Sequence, residues 1–398
     1  MIQKMKKTNH KNAALLVAVL IILLTTLPIQ AASVSSDWTF GKRNVESVLA
    51  ADIELTKTLD MNLSMVFSGV METKKITTDL NSLSLSYSPK DTFRFSLGKQ
   101  GHFFGRARIN NLFFGQVSPE FLSARYDLTY DKIAYTRLYG DLADKEDFKK
   151  LGAHYLSIDV NKYVSVGIGE AFIAIEPFKG DMVYTVTPLL PYYLAKYIPG
   201  ITSRIDSSLV YLDGQVNLDR AQIYGEFVVS EFPMTPKAQG PALYGFTVGT
   251  DLDLGKYNLL VEHTRVMNYT YTNSPLSTSF VYGDKPLAHE LGQDFKKYDI
   301  QIRSEEMLLS KVGLYHQVVG EGRNIDTWYK NVNERTEKKF LSGITETTTG
   351  VIIGLRKDVM DNVSINVEGN VGYAKNLRNV KDQNDFVYQS SLSIRWEL

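Results

Sequence analysis

The chain has 398 residues, and its 44 basic and 44 acidic side chains cancel. That balance leaves no basic footprint for nucleic acid. It contains no cysteine, which excludes disulfides, thiolate catalysis, cysteine-ligated metals and anchoring through a lipidated cysteine.

The first element is a leader. Lys4, Lys6, Lys7 and Lys11 precede a mostly apolar run from Ala13 to Leu27, followed by Pro28 and the small residues Ala31, Ala32 and Ser33. A basic region, a short apolar stretch and a small-residue zone predict a secretory signal peptide over residues 1–31. The fifteen residues from Ala13 to Leu27 fall short of the roughly twenty that a spanning helix needs. Cutting after Ala31 removes four lysines and leaves 40 basic against 44 acidic residues. Residues 32–398 are expected to form one domain, and no later apolar run is long enough for a membrane helix. With 23 Tyr and 19 Phe, that leaves a large β-protein or a barrel.

Period-two patterns then recur along the chain. Leu83, Leu85 and Tyr87 alternate with Ser82, Ser84, Ser86 and Ser88, and Phe93, Phe95 and Leu97 with Arg94 and Ser96. Tyr244, Phe246 and Val248 alternate with Gly245, Thr247 and Gly249, and Ile300 and Ile302 with Gln301 and Arg303. Val363, Ile365, Val367, Val371 and Tyr373 alternate with Asn362, Ser364, Asn366, Glu368 and Asn370. Each reads as a strand with one apolar face. The last segment, Phe386 to Leu398, puts Phe386, Tyr388, Leu392, Ile394, Trp396 and Leu398 on one face, with aromatics toward both ends. Tilted by about 40°, it rises roughly 33 Å, enough to cross an apolar band of about 25 Å. It is expected to close a barrel. Charges such as Arg303 and Glu368 would cost about 2–4 kcal/mol each against mid-bilayer lipid, so the polar face is expected to be the lumen.

Connections decide between barrel and sandwich. Short turns fall near residues 58–60, 89–91, 130–131, 161–162, 217–219, 253–255, 305–309 and 357–361. Longer loops fall near 72–78, 99–120, 142–149, 176–205, 231–241, 270–295, 321–343 and 374–385. Short and long alternate, as in an outer-membrane barrel with periplasmic turns and outside loops, whereas a sandwich has no reason to gather its long loops at one end. The expected fold is all-β: a transmembrane antiparallel β-barrel of about eighteen strands, with long extracellular loops and short periplasmic turns. The first strand is placed near Trp38–Val45. In the loop 176–205, the stretch Pro188 to Pro199 is too apolar for a solvated loop. Either it folds as a short helix into the lumen or over its mouth, or it packs on neighbouring loops.

Catalytic motifs are poor. His289-Glu290 begins like a zinc-protease motif, but Gln293 stands where the second histidine belongs. Gly249 to Gly255-Lys256 has the wrong spacing for a phosphate loop, and there is no Gly-x-Ser-x-Gly. Neither an enzyme, a metal site nor a cofactor is expected. His263 and His316 fall on strands, where packing or a lumen hydrogen bond is the expectation.

Several segments form an ordered set. They are Leu97-Gly98-Lys99-Gln100 through Phe103-Phe104-Gly105-Arg106 with Asn111-Leu112-Phe113-Phe114-Gly115, then Val164 to Ala171 leading to Thr187-Pro188-Leu189. Next come Ala221 to Phe227 with Glu231-Phe232, Glu262-His263-Thr264-Arg265 with Tyr269 to Thr272, and Gly283 to Asp294. The set spans roughly residues 90–300 and resembles, in order, the Wzi-type capsule-assembly family of outer-membrane proteins. Phe104, Arg106 and Leu398 depart from the Trp, Pro and terminal aromatic of the family pattern. The resemblance implies an eighteen-stranded barrel and a lectin-like role, holding capsular or other exported polysaccharide at the cell surface beside an export system. The other function class is a porin, since such a barrel is wide enough for a channel.

Sugar binding needs aromatic faces for the rings and carboxylates or amides for the hydroxyls. The loops 270–295 and 321–343 supply both, and the candidate residues are Tyr282, Asp284, His289, Glu290, Asp294, Trp328, Tyr329 and Arg335. Tyr269 and Tyr271 read equally as interfacial girdle residues. The partners expected are surface polysaccharide and outer-membrane lipid.

Overall fold

A computed structural model describes residues 31–41, 44–70, 75–115, 118–143, 148–175, 207–231, 243–272, 276–283, 285–323 and 340–397. The strands are β1 (Ala31–Gly41), β2 (Asn44–Thr56), β3 (Leu59–Val70), β4 (Lys75–Lys90), β5 (Phe93–Gln100), β6 (Phe121–Tyr130) and β7 (Ile133–Asp141). Then come β8 (Lys150–Asp159), β9 (Val164–Ala174), β10 (Ser207–Leu218), β11 (Ala221–Glu231), β12 (Leu243–Asp253) and β13 (Asn258–Val266). Two short strands follow, β14 (Val281–Tyr282) and β15 (Lys285–Pro286). The last five are β16 (Phe295–Arg303), β17 (Leu309–Val319), β18 (Glu346–Met360), β19 (Val363–Lys375) and β20 (Asp385–Glu397).

All but β14 and β15 belong to one 18-stranded antiparallel sheet in which each strand pairs with its neighbours in the chain. β1 pairs with both β2 and β20, from Ser33 opposite Glu397 to Gly41 opposite Gln389, so the sheet closes on itself. Closure leaves no sheet edge to be satisfied by lipid. β14 and β15 form a separate hairpin inside the connection from β13 to β16. The signal peptide expected over 1–31 and the apolar stretch 188–199 lie almost wholly outside the described residues, which begin at Ala31.

The faces follow the sequence pattern. On β4, Ser82, Ser84 and Ser86 are buried in the lumen while Leu83, Leu85 and Tyr87 are exposed to the outside. On β16, Gln301 is buried and Ile300 and Ile302 are exposed. Phe386, Tyr388, Ile394 and Trp396 point outward from β20. Arg303 lines a lumen cavity, and Glu368 reaches Lys311 at 2.5 Å, so these charges avoid the lipid face.

One sequence reading is corrected. The first strand runs from Ala31 to Gly41 rather than near Trp38–Val45. Val34, Trp38 and Phe40 alternate there with Ser33, Ser35, Asp37 and Thr39, a pattern that the small-residue cleavage zone obscures. His263 and His316 fall on strands as expected and turn outward, on the same face as Ile300 and Leu314, where packing is the outcome of the two alternatives. His263 stacks on Tyr298 with ring centroids 4.3 Å apart, and His316 Nδ1 bonds Thr349 Oγ1 at 2.8 Å.

Candidate functional site

The connection 101–120, between β5 and β6, is the site's centre. Phe104, Ala107, Asn110, Asn111, Leu112, Phe113 and Phe114 along it are buried, while Phe103 is exposed. The loop is folded into the lumen, and what holds it there is charge on the barrel wall. Glu226 of β11 accepts from the backbone N–H groups of Arg106 (2.7 Å), Ala107 (2.6 Å) and Leu112 (3.0 Å), and from Asn111 Nδ2 at 3.1 Å. Glu262 of β13 accepts from the N–H groups of Arg108 (3.0 Å), Ile109 (3.4 Å) and Asn110 (2.7 Å). Asn110 Nδ2 and the Tyr224 hydroxyl add two bonds of 2.8 Å each to Glu262.

Consecutive backbone N–H groups thus converge on two buried carboxylates. A buried carboxylate is costly unless several donors meet it, and here each meets four or five. Gly105 permits the approach. Its φ is +110°, and a Cβ there would sit 2.3 Å from Glu226 Oε1 and 2.4 Å from the Tyr211 hydroxyl.

Asn110 is the hub. Its Nδ2 donates to Glu262 and to Asp299 Oδ2 (2.8 Å), while its Oδ1 accepts from Lys297 Nζ at 3.1 Å and pairs with His289 Nε2 at 2.9 Å. The N–H of Leu291 donates to His289 Nδ1 at 3.0 Å, so the proton of the ring is on Nε2 and the imidazole is neutral. Burial, with Lys297 as the second cause, holds this histidine well below its usual pKa. Further along, Arg106 pairs with Asp213 at 3.1 Å and with Ser157 Oγ at 2.7 Å.

The long loop 267–294 locks onto this one and is itself held by Lys149 of the loop 142–149. Tyr271 donates to the Leu112 carbonyl at 2.8 Å, the Gly115 N–H donates to the Ala288 carbonyl at 3.1 Å, and Ser118 Oγ donates to the Leu287 carbonyl. Lys149 donates to the carbonyls of Ser279 (2.9 Å) and Val281 (2.8 Å), and burial lowers its ammonium to about 8. Phe113 stacks on Tyr211 at 4.9 Å, within an apolar cluster that includes Phe121, Leu138, Val266 and Phe295. These wall residues belong to the long-loop ends of their strands, so the barrel carries a small core at that end.

The sequence-selected residues fall into three groups. Asp284, Trp328, Tyr329 and Arg335 lie outside the described residues. His289 and Asp294 are buried and spent on internal bonds. Asp294, fully buried with φ +62°, accepts from the N–H groups of Gly322, Leu341 and Ser342 and from Ser342 Oγ, tying 267–294 to 320–345. Tyr282 is half-buried against the edge of Phe121. Glu290 is exposed, with Oε1 3.9 Å from Lys297 Nζ. His289 and Glu290 therefore meet at the Asn110–Lys297 cluster, and Tyr282 and Asp294 stand apart from it. Tyr269 and Tyr271 are buried in the loop packing and do not serve as girdle residues.

Sequence reasoning missed Glu226, Glu262 and Asn110 as a clamp. A signal was present. Leu112-Phe113-Phe114 is as apolar as the stretch at 188–199, and two glutamates stand at inward positions of β11 and β13, the strands on either side of β12.

Elsewhere among the described residues, the lumen wall is polar. One cavity of about 760 Å³ is lined by Asp60, Asn62, Ser82, Ser84, Ser86 and Arg94, among others. Another of about 440 Å³ includes Asp251, Arg303, Glu305, Lys311, Arg356 and Arg395. Among the described residues, no group of three or more His, Asp or Glu side chains is placed to hold a metal ion.

A closed antiparallel barrel with an apolar outer face, a polar lumen and long loops at one end defines the class: an outer-membrane β-barrel. No protein-family model and no curated protein sequence matches the chain. Solved structures do. Wzi of Escherichia coli, described as an outer-membrane protein involved in group 1 capsule assembly and a carbohydrate-binding β-barrel, is 13% identical with a TM-score of 0.65. That match covers 92% of this chain and 83% of Wzi. OccK5 (OpdH) of Pseudomonas aeruginosa is 7% identical with a TM-score of 0.54, covering 92% and 97% of the two chains. OprD of the same organism is 7% identical with a TM-score of 0.51, covering 92% and 94%. At these identities the likeness shows the fold.

Proposed function

We propose that this barrel binds and retains an exported polysaccharide at the cell surface, without catalysing a reaction on it. The observation that carries the reading is the loop 101–120, clamped into the lumen by Glu226 and Glu262 and locked to the loop 267–294, which Lys149 in turn ties to 142–149. A barrel that spends two buried carboxylates on filling one side of its own lumen is built to present a fixed loop surface. The likeness to the carbohydrate-binding barrel Wzi agrees with this reading at the level of fold. The surface proposed for the polymer comprises Tyr282 and Glu290 together with Asp284, Trp328, Tyr329 and Arg335. His289 and Asp294 act in it as supports that position the loops. An export system for the same polymer is the expected neighbour.

The second reading is a porin, and the polar cavities of about 760 and 440 Å³ favour it. One comparison separates the two. A deletion strain and its complemented counterpart are assayed for cell-bound and shed polysaccharide, and the purified barrel for current in a planar bilayer. Shedding with unchanged total polymer, and no steady open-channel current, is the expected result. Unaltered retention with steady current and reduced small-solute uptake sinks the binding role and leaves the porin.

A further inference from the structure

The outward-facing side chains of β13 and β16 form a graded column. From the short-turn end to the long-loop end, its rungs are Leu259 opposite Ile302, Val261 opposite Ile300, His263 opposite Tyr298, and Arg265 opposite Lys296. The first two rungs are apolar. The third is a stacked pair, with His316 on the far side of Tyr298 and the Phe246 ring edge-on to His263. The fourth holds two cations directly across from each other.

Like charges on opposed residues destabilise a strand pair. Neither Arg265 nor Lys296 has an ion-pair partner among the described residues. The arginine is nonetheless fixed in place. Its guanidinium lies 3.8 Å from the Phe340 ring centroid, one terminal nitrogen reaches only Met267 Sδ at 3.7 Å, and Nε has no hydrogen-bond partner. A held guanidinium with unspent donors, beside an ammonium, lies one rung or about 7 Å along the strand past an aromatic pair. In a lipid-facing column, that is the level at which chains and rings give way to head groups.

We propose that Arg265 and Lys296 bind the phosphate of a glycolipid in the leaflet that the long loops face. The guanidinium and ammonium donate to the phosphate oxygens, and the anion relieves the repulsion between them. The acyl chains lie along Val261, Ile300, Leu259 and Ile302. A lipid fits better than free phosphate because the apolar and aromatic rungs continue directly into the cationic one. The inference stands independently of the polysaccharide role.

The test uses the full folded chain in detergent, mixed with bisphosphorylated lipid A, its dephosphorylated form, or inorganic phosphate. Adducts are read by native mass spectrometry. The bisphosphorylated lipid is expected to bind, the dephosphorylated form to bind far less, and equimolar inorganic phosphate to leave the adduct in place. Lys296→Glu removes a cation and adds an anion, and is expected to weaken binding about thirtyfold. The same substitution pairs the new carboxylate with Arg265, so the lipid-free melting temperature should rise. Where Lys296→Glu does not fold, Lys296→Gln is measured instead, with a drop of about fivefold expected. Equal binding of the two lipid forms, displacement by equimolar phosphate, or unchanged binding in the variant that folds overturns the proposal.

Discussion

At the scale of single residues, Glu262 and Glu226 carry more of the lumen's organisation than any apolar side chain. Glu262 is only 1% exposed, and both of its oxygens are filled. Glutamine is no substitute, because one oxygen would become an NH₂ facing N–H or O–H donors. Glu262→Gln is therefore expected to cost about 3 kcal/mol through orphaned buried donors. Limited proteolysis of the folded barrel checks this, with cleavage inside 101–120 appearing in the variant and not in the parent.

Two loop histidines give the packing a pH dependence. His289 is buried neutral, and His102 is held down to about 3 by burial, with Arg125 as the second cause. A folded pKa below the unfolded one means that the released loop takes up the proton first. The stabilisation is complete above about pH 6.5 and declines below it by about 1.4 kcal/mol per pH unit for each protonated histidine, for His102 down to about pH 3. Protease cleavage of the loops should stay level above about pH 6.5 and rise from there down to about pH 4.5. His289→Gln, which can still meet Asn110, should flatten that rise, and an unchanged slope would remove His289 from the account.

Among the elements, wall strands make room for ring side chains through glycine. A Cβ at Gly249 of β12 would fall 2.5 Å from Cζ of Tyr224, whose hydroxyl holds Glu262. Gly249→Val is expected to push the ring aside and cost about 1–3 kcal/mol by overpacking. The check is a lower temperature for the gel-mobility shift from folded to unfolded barrel, together with weaker protection of 101–120. The loop itself is an element with one task. Replacing residues 103–118 by a short glycine-serine linker, with the strands left intact, is expected to raise steady bilayer current above that of the parent barrel. A replacement that stays silent would mean that something other than this loop blocks the lumen.

For the whole molecule, the strand pattern was readable because its cause is local. Lipid on one side and water on the other force alternation at every second residue, so Leu83-Ser84-Leu85-Ser86 announces both faces without knowledge of any neighbour. The order of long and short connections was readable for a related reason, since a turn between adjacent antiparallel strands needs few residues and an outer loop has no such limit. β1 was read late because its alternation begins inside a zone that also reads as a cleavage region.

The plug was not readable, although its parts were. Glu226, Glu262 and Asn110 are far apart in the chain, with Asn110 and Glu262 separated by 152 positions. Nothing in their local patterns says that one accepts what another donates. The same holds for His289 and Asp294. As loop residues of sugar-binding type they were indistinguishable from Glu290, and only burial separates the supports from the exposed carboxylate.

The sequence by itself determined the class of protein, the strand faces and the end of the barrel that bears the loops, because each follows from solvent acting on neighbouring residues. Only the tertiary structure decided that the loop 101–120 turns inward, which carboxylates hold it, and that Arg265 stands opposite Lys296. Those outcomes depend on pairings across the lumen and across strands, and a chain read in one dimension carries no distance between residues that meet in three.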